Sequence, residues 1–174
     1  EGDLETRRFD LSGTTIRVED IIDRELSDKK QARLEAWHSD VTFESGTLTF
    51  GKPMAASGRV DLAMRDTRPV LALLKRLDVG PGWIAMAPNI ENVEGTVDLA
   101  VGKGLLSLGD LEMTGDGFEA LGWIRSENKK ADGRLYVKFK AVAAGVRLDE
   151  GKAKIILATP RRWFDDHAGD LDQP

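Results

Sequence analysis

From residue 46 to residue 157 the chain passes through short segments in which apolar and polar residues alternate, each bounded by glycine. A period of two places successive side chains on opposite faces of a β-strand. The clearest examples are Ser57-Gly-Arg-Val-Asp-Leu-Ala-Met-Arg-Asp66 and Glu94-Gly-Thr-Val-Asp-Leu-Ala-Val-Gly-Lys103. In the first, Val60, Leu62 and Met64 share one face, and Arg59, Asp61 and Arg65 share the other. The pattern predicts a mainly β, β-rich α+β fold: an antiparallel meander sheet with two or three short helices packed on one face or at the ends. One domain is expected over residues 1–169, followed by a flexible acidic tail over 170–174.

The remaining elements follow from local signals. Residues 4–18 read as a strand pair about Ser12-Gly13, with Phe9 and Leu11 on one side of the turn and Ile16 and Val18 on the other. A short helix is predicted over 19–26, a polar turn over 27–31, and strands over 32–43 and 47–50 about Glu44-Ser-Gly46, although 33–37 also tolerate a helix. At Asp66-Thr-Arg-Pro69 the sheet stops and a helix starts, because Asp66 or Thr67 can accept a free backbone N–H and Pro69 fits a first turn. Val70, Leu73, Leu74 and Leu77 then recur at helical spacing until Gly80-Pro-Gly82. Strands follow over 96–101, 105–108, 111–114, 118–125, 134–141, 145–149 and 153–158. Their separators, Gly102-Lys-Gly104, Gly109-Asp110, Gly115-Asp-Gly117 and Ala131-Asp-Gly133, carry hairpin-turn chemistry. Thr159-Pro160 opens a last helix through His167. The phrase Gly-x-Val-Asp-Leu-Ala occurs at Gly58 and again at Gly95, which fits either a duplication or two strands in similar surroundings.

Composition narrows the function classes. The net charge is −5 and basic residues are scattered, whereas a nucleic-acid footprint needs a basic patch. There is no cysteine, so disulfides, thiolate zinc sites and a cysteine nucleophile are excluded. No apolar run approaches the ~20 residues of a membrane-spanning helix. The chain begins at Glu1 and is expected to be a region of a longer or processed protein.

Reactive constellations are equally sparse. His38 and His167 have no partners at metal-ligand spacing, and Asp165-Asp166-His167 reads as a solvated helix end. The stretch from Asp110 resembles a calcium loop through its sixth position but has Leu121 where a bidentate Glu is needed. Gly102-Lys-Gly104 lacks the Ser or Thr of a phosphate loop, and no Gly-x-Ser-x-Gly elbow occurs. Glu44 with Asp40, or Asp61 with Asp98, would do acid–base work only if held together in a cleft. Asp61 and Asp98 sit on the polar parity and are expected to face solvent, with Leu62 and Leu99 buried and Leu99→Ala as costly as a core truncation. No enzyme activity, catalytic residue, metal or cofactor is expected. What remains is apolar surface: Val60, Leu62, Met64, Val97, Leu99, Val101, Leu106, Leu108, Leu135, Val137 and Phe139. Such a face either closes as a core or stays open as a trough for acyl chains.

A family resemblance adds to this reading. It is carried by Gly58-Arg-Val-Asp-Leu-Ala-Met-Arg-Asp-Thr-Arg-Pro-Val-Leu-Ala-Leu-Leu74, Val93-Glu-Gly-Thr-Val-Asp-Leu99, Leu105-Leu-Ser-Leu-Gly-Asp-Leu-Glu-Met-Thr-Gly115, Gly133-Arg-Leu-Tyr-Val137 and Arg161-Arg-Trp-Phe164. In that order they resemble a region of the large AsmA-like bacterial envelope proteins, whose amphipathic strands form taco-like sheets with a greasy inner face. The resemblance implies a periplasmic or envelope location within a larger anchored protein, phospholipid or other envelope proteins as partners, and phospholipid handling without catalysis. The expectation from a different class is a structural or adhesive β-sandwich that binds a protein or glycan through turns such as Gly80-Pro-Gly-Trp83.

Overall fold

The computed structural model describes residues 7–19, 37–69, 89–127 and 130–169. Ten strands follow in order: β1 Arg7–Asp10, β2 Thr15–Glu19, β3 His38–Phe50, β4 Ala55–Asp66, β5 Glu91–Gly102, β6 Leu105–Gly115, β7 Phe118–Glu127, β8 Lys130–Phe139, β9 Val142–Asp149 and β10 Lys152–Ile156. They form one ten-stranded sheet in which, from β3 to β10, each strand pairs with the next in sequence, all antiparallel. This is the meander that the alternating pattern predicts. One helix, α1 Pro160–His167, follows the last strand. The helices expected over 19–26 and after Pro69, the turn over 27–31 and the acidic tail lie largely or wholly outside the described residues.

Several boundaries differ, each for a local reason. The strand pair expected about Ser12-Gly13 is no hairpin: β1 and β2 lie end to end along one edge of β3, both antiparallel to it. The Ser12-Gly13 turn only kinks this edge, because Leu11 N–H and Gly13 N–H still donate to the Gly46 and Phe43 carbonyls. The break expected at Glu44-Ser-Gly46 is a bulge within a continuous β3. Gly109-Asp110 behaves likewise, since Asp110 at φ +42 serves a register shift inside β6 and no turn. Ala131-Asp-Gly133 lies within β8, where Gly133 stands opposite Leu148. Lys103-Gly104 and Glu150-Gly151 do turn, with positive φ at both residues of each two-residue loop.

The repeated phrase has a structural meaning. Its two copies occupy adjacent antiparallel strands centred on the pair Val60 and Val97, so that Gly58 stands opposite Leu99 and Gly95 opposite Leu62. Each glycine also meets a third strand closely: a Cβ on Gly58 would strike the Ser45 carbonyl, and one on Gly95 the Glu112 carbonyl. Similar residues recur because the two strands reciprocate each other's surroundings.

Cross-strand partners share a face, so the ladders divide the sheet into an apolar and a polar side. On the apolar side one buried cluster joins Trp37, Met64, Ile90 and Val93, with Leu62, Met113, Phe118 and Phe139 packed against it. A second joins Leu135, Val146 and Leu148, with Leu111, Ile124 and Val137. Helix α1 lies on the opposite, polar side of β8 and β9. There Phe164 meets Tyr136 at 6.4 Å between ring centroids, and the Arg161 guanidinium stands 5.2 Å from the Tyr136 ring. The Trp163 ring covers Gly145, where a Cβ would collide with it. Gly145→Val is therefore expected to lift α1 from the sheet with a loss of about 1–3 kcal/mol, the usual range for overpacking. Near-ultraviolet circular dichroism of Trp163 and a denaturant melt check this; an unchanged spectrum with an unchanged midpoint refutes it.

Candidate functional site

The sheet brings all the predicted apolar positions to a single face. Val60 pairs with Val97, Leu99 with Leu108, Val101 with Leu106, and Leu135 with Val146, while Val137 and Phe139 continue the parity of Leu135. Their burial is graded. Val60, Met64 and Leu135 are buried; Leu62, Val97, Leu99, Leu106, Leu108, Val137 and Phe139 are half-buried; and Val101 is exposed. The expectation that Leu62 and Leu99 are buried is thus corrected to half-buried, and so is the exposure expected of Asp61, which is half-buried, while Asp98 is exposed. Face assignment follows from parity, but depth depends on what packs above each strand. The end of the face near Trp37 and Ile90 is sealed; the end near Val101, Phe50 and Phe9 is open.

Several contributors to this face escaped the sequence reading. Phe9 stands opposite Leu48, Phe118 opposite Phe139, Ile155 opposite Val146, and Val142 opposite Phe139. Extending the same parity through each strand would have found most of them. Val142 was missed because Ala143, Ala144 and Gly145 blur the start of β9.

The polar face carries two cross-strand rows, Thr42, Asp61, Thr96 and Glu112, and beside it Asp40, Ala63, Glu94 and Thr114. They line an open depression of about 430 Å³. Next to it Arg59 meets one acid of each suggested pair together with Asp110, its guanidinium lying 2.8 Å from Asp110, 3.2 Å from Asp98 and 3.6 Å from Glu44. Arg17 pairs with Asp40 at 2.6 Å, and this hydrogen bond holds the half-buried Asp40 carboxyl below the usual range. Asp40, Glu44, Asp98 and Asp110 are thus each held in an ion pair with an arginine.

The two imidazoles stay apart. His38 opens β3 opposite Glu19, whereas His167 stacks on Trp163 and has its Nδ1 2.7 Å from the Trp163 carbonyl. Asp165 and Asp166 pair with Arg161 and Arg162 one turn away on α1. Among the described residues no group of three or more His, Cys, Asp or Glu is placed to hold a metal ion.

One deeply buried charged group was read in sequence only as a possible cap. The Asp66 carboxylate accepts the Arg68 backbone N–H at 3.0 Å and the Arg68 Nε–H at 2.8 Å. Its backbone carbonyl accepts the Trp37 indole N–H at 2.7 Å. Burial pushes this carboxyl upward, but the Arg68 hydrogen bonds and charge outweigh it and leave Asp66 below the ordinary range. Asp66 thereby ties β4 to the Trp37 and Ile90 end of the apolar face, with Thr67 N–H donating to the Ile90 carbonyl. The arrangement serves to position elements and offers no free reactive group.

The graded burial sets a mutational expectation. Leu99→Ala is expected to cost about 1–2 kcal/mol, since a half-buried leucine loses only part of its transfer energy. Asp98→Ala should cost less than ~1, because Arg59 keeps Asp110 and Glu44. Paired urea melts check this, and a loss above ~3 kcal/mol for Leu99→Ala would show a sealed core there.

Among the described residues no helix is long and apolar enough to cross a membrane. Comparison of the chain with protein-family models, with curated proteins and with solved structures finds no match in any of the three.

Proposed function

We propose that this chain is a lipid-handling module of a bacterial envelope protein of the AsmA-like kind, acting by contact and not by catalysis. The observation that carries the proposal is the gradation of the apolar face: a sheet face apolar across successive strands is buried at one end and leaves Leu99, Val101, Leu106 and Leu108 partly or fully accessible at the other. An elongated greasy strip of this kind suits acyl chains, which need apolar area and little directional bonding. The polar face, with its carboxylates and arginine hubs, supplies the water-facing side. The phrase order from Gly58 to Phe164 supports the family reading, and with it a periplasmic or envelope setting.

Native mass spectrometry of the chain expressed in bacteria tests the proposal. Phospholipid adducts are expected, and Val101→Asp, at an exposed position, should weaken them strongly while leaving the melt nearly unchanged. Consistent absence of lipid from the wild type would overturn it.

The rival reading, an adhesive β-sandwich, is not favoured. The described strands form one continuous sheet and not two facing ones, and Trp83, the proposed contact, lies outside the described residues.

A further inference from the structure

The three most exposed of the exposed large hydrophobic side chains stand together at one corner. Val142 is 68% exposed, Ile155 63% and Leu157 70%. Val142 opens β9 on the face shared with Phe139, Ile155 pairs with Val146 on that face, and Leu157 follows the end of β10. The strand order makes β10 the last strand of the sheet.

The charge of this region runs against that of the whole chain. Residues 130–169 hold nine basic and five acidic residues in a protein of net charge −5. Many arginines are neutralised by carboxylates, but Lys140, Lys152 and Lys154, all exposed, make no ion pair among the described residues. Lys140 stands at the tip of the β8–β9 turn with its ammonium 5.4 Å from the Phe139 ring centroid, so positive charge borders the apolar corner directly. Lys152 and Lys154 lie on the edge strand, where long side chains can bend around the open edge.

We propose that this corner of β9 and β10 docks on an anionic lipid bilayer, with Val142, Ile155 and Leu157 entering the interface and Lys140, Lys152 and Lys154 meeting the headgroups. This deepens the reading of the chain as a lipid-handling module and rests on it, by naming where the protein meets the surface it exchanges lipid with. Apolar side chains bordered by unpaired lysines are the combination that interfacial binding requires, each part weak alone. A second copy of the chain is a poorer occupant. Edge-to-edge pairing of two β10 strands would bring Lys152 and Lys154 against their equivalents, a known defence against such pairing.

Co-sedimentation of the whole chain with vesicles of phosphatidylcholine, and with equimolar phosphatidylcholine and phosphatidylglycerol, tests this. Binding is expected to the anionic vesicles and to weaken with added salt. Lys152→Gln with Lys154→Gln should lower the partition coefficient on the order of tenfold, and Val142→Asp with Ile155→Asp should remove binding. Equal binding to both vesicle types, or binding unaffected by either pair of substitutions, overturns the proposal, as does concentration-dependent dimerisation in place of binding. The lysine variants keep the test decisive if the aspartate variants misfold. Native mass spectrometry separates the two readings: lipid adducts without vesicle binding refute the docking corner alone, and vesicle binding without adducts refutes the acyl-chain strip alone.

Discussion

Replacing Leu148 by alanine is expected to destabilise the protein by about 3–5 kcal/mol, toward the top of the range for core leucines. Leu148 is only 1% exposed and packs with Leu135 and Val146. Its cross-strand partner is Gly133, whose Cα lies beneath the leucine side chain, such that a Cβ there would come within 3.3 Å of Leu148 Cδ1. A glycine has no side chain to move into the space that Leu148→Ala opens, so the cavity persists and the lost contacts are not regained. Urea melts followed by tryptophan fluorescence check the value. A loss under ~1.5 kcal/mol would mean that the second cluster is not a core.

Asp66→Ala is expected to cost about 2–3 kcal/mol, and Asp66→Asn roughly half of that, because the amide oxygen can still accept the Arg68 N–H. The cost is less than for a wholly buried pair, since Arg68 is 36% exposed at its side chain and can turn to water when its partner is lost. The same site predicts an acid limb. Asp66 has its folded pKa below the ordinary aspartate value of about 3.9. Its ionisation therefore stabilises the fold in full above that value, and the contribution is lost as pH falls through the lower folded value. The wild type should lose stability more steeply than Asp66→Asn below about pH 4. Melts at pH 7 and pH 3 decide, and parallel pH profiles for the two proteins would refute the assignment.

Much of this was legible in the chain itself. Alternation at Val60, Leu62 and Met64 and at Val97, Leu99 and Val101 is a local property, and parity alone assigned those residues to one face. Thr159-Pro160 opened α1, and the helix ends at His167 as expected. Gly102-Lys-Gly104 turned the chain as its composition implied. Gly109-Asp110 and Ala131-Asp-Gly133 show the limit of such local reading. A glycine suits a turn, a bulge or a close strand approach equally well, and only the neighbouring strand decides among them. For Gly109-Asp110 the register shift against β7 decided, and for Gly133 the Leu148 side chain.

The candidate site divides along the same line. Sequence by itself determined that one face of an antiparallel meander would be apolar and the other charged, because a strand's side chains alternate whatever surrounds it. Tertiary structure decided how deep each apolar residue lies: Met64 and Leu135 are sealed and Val101 is open, since burial is set by side chains far away in sequence, Trp37 and Ile90 beside Met64 and Leu148 beside Leu135. It also decided that Arg59 joins Glu44, Asp98 and Asp110, and that Val142 and Ile155 share the last corner of the sheet with unpaired lysines. Those groupings depend on cross-strand register, a relation between strands that no single strand's pattern contains.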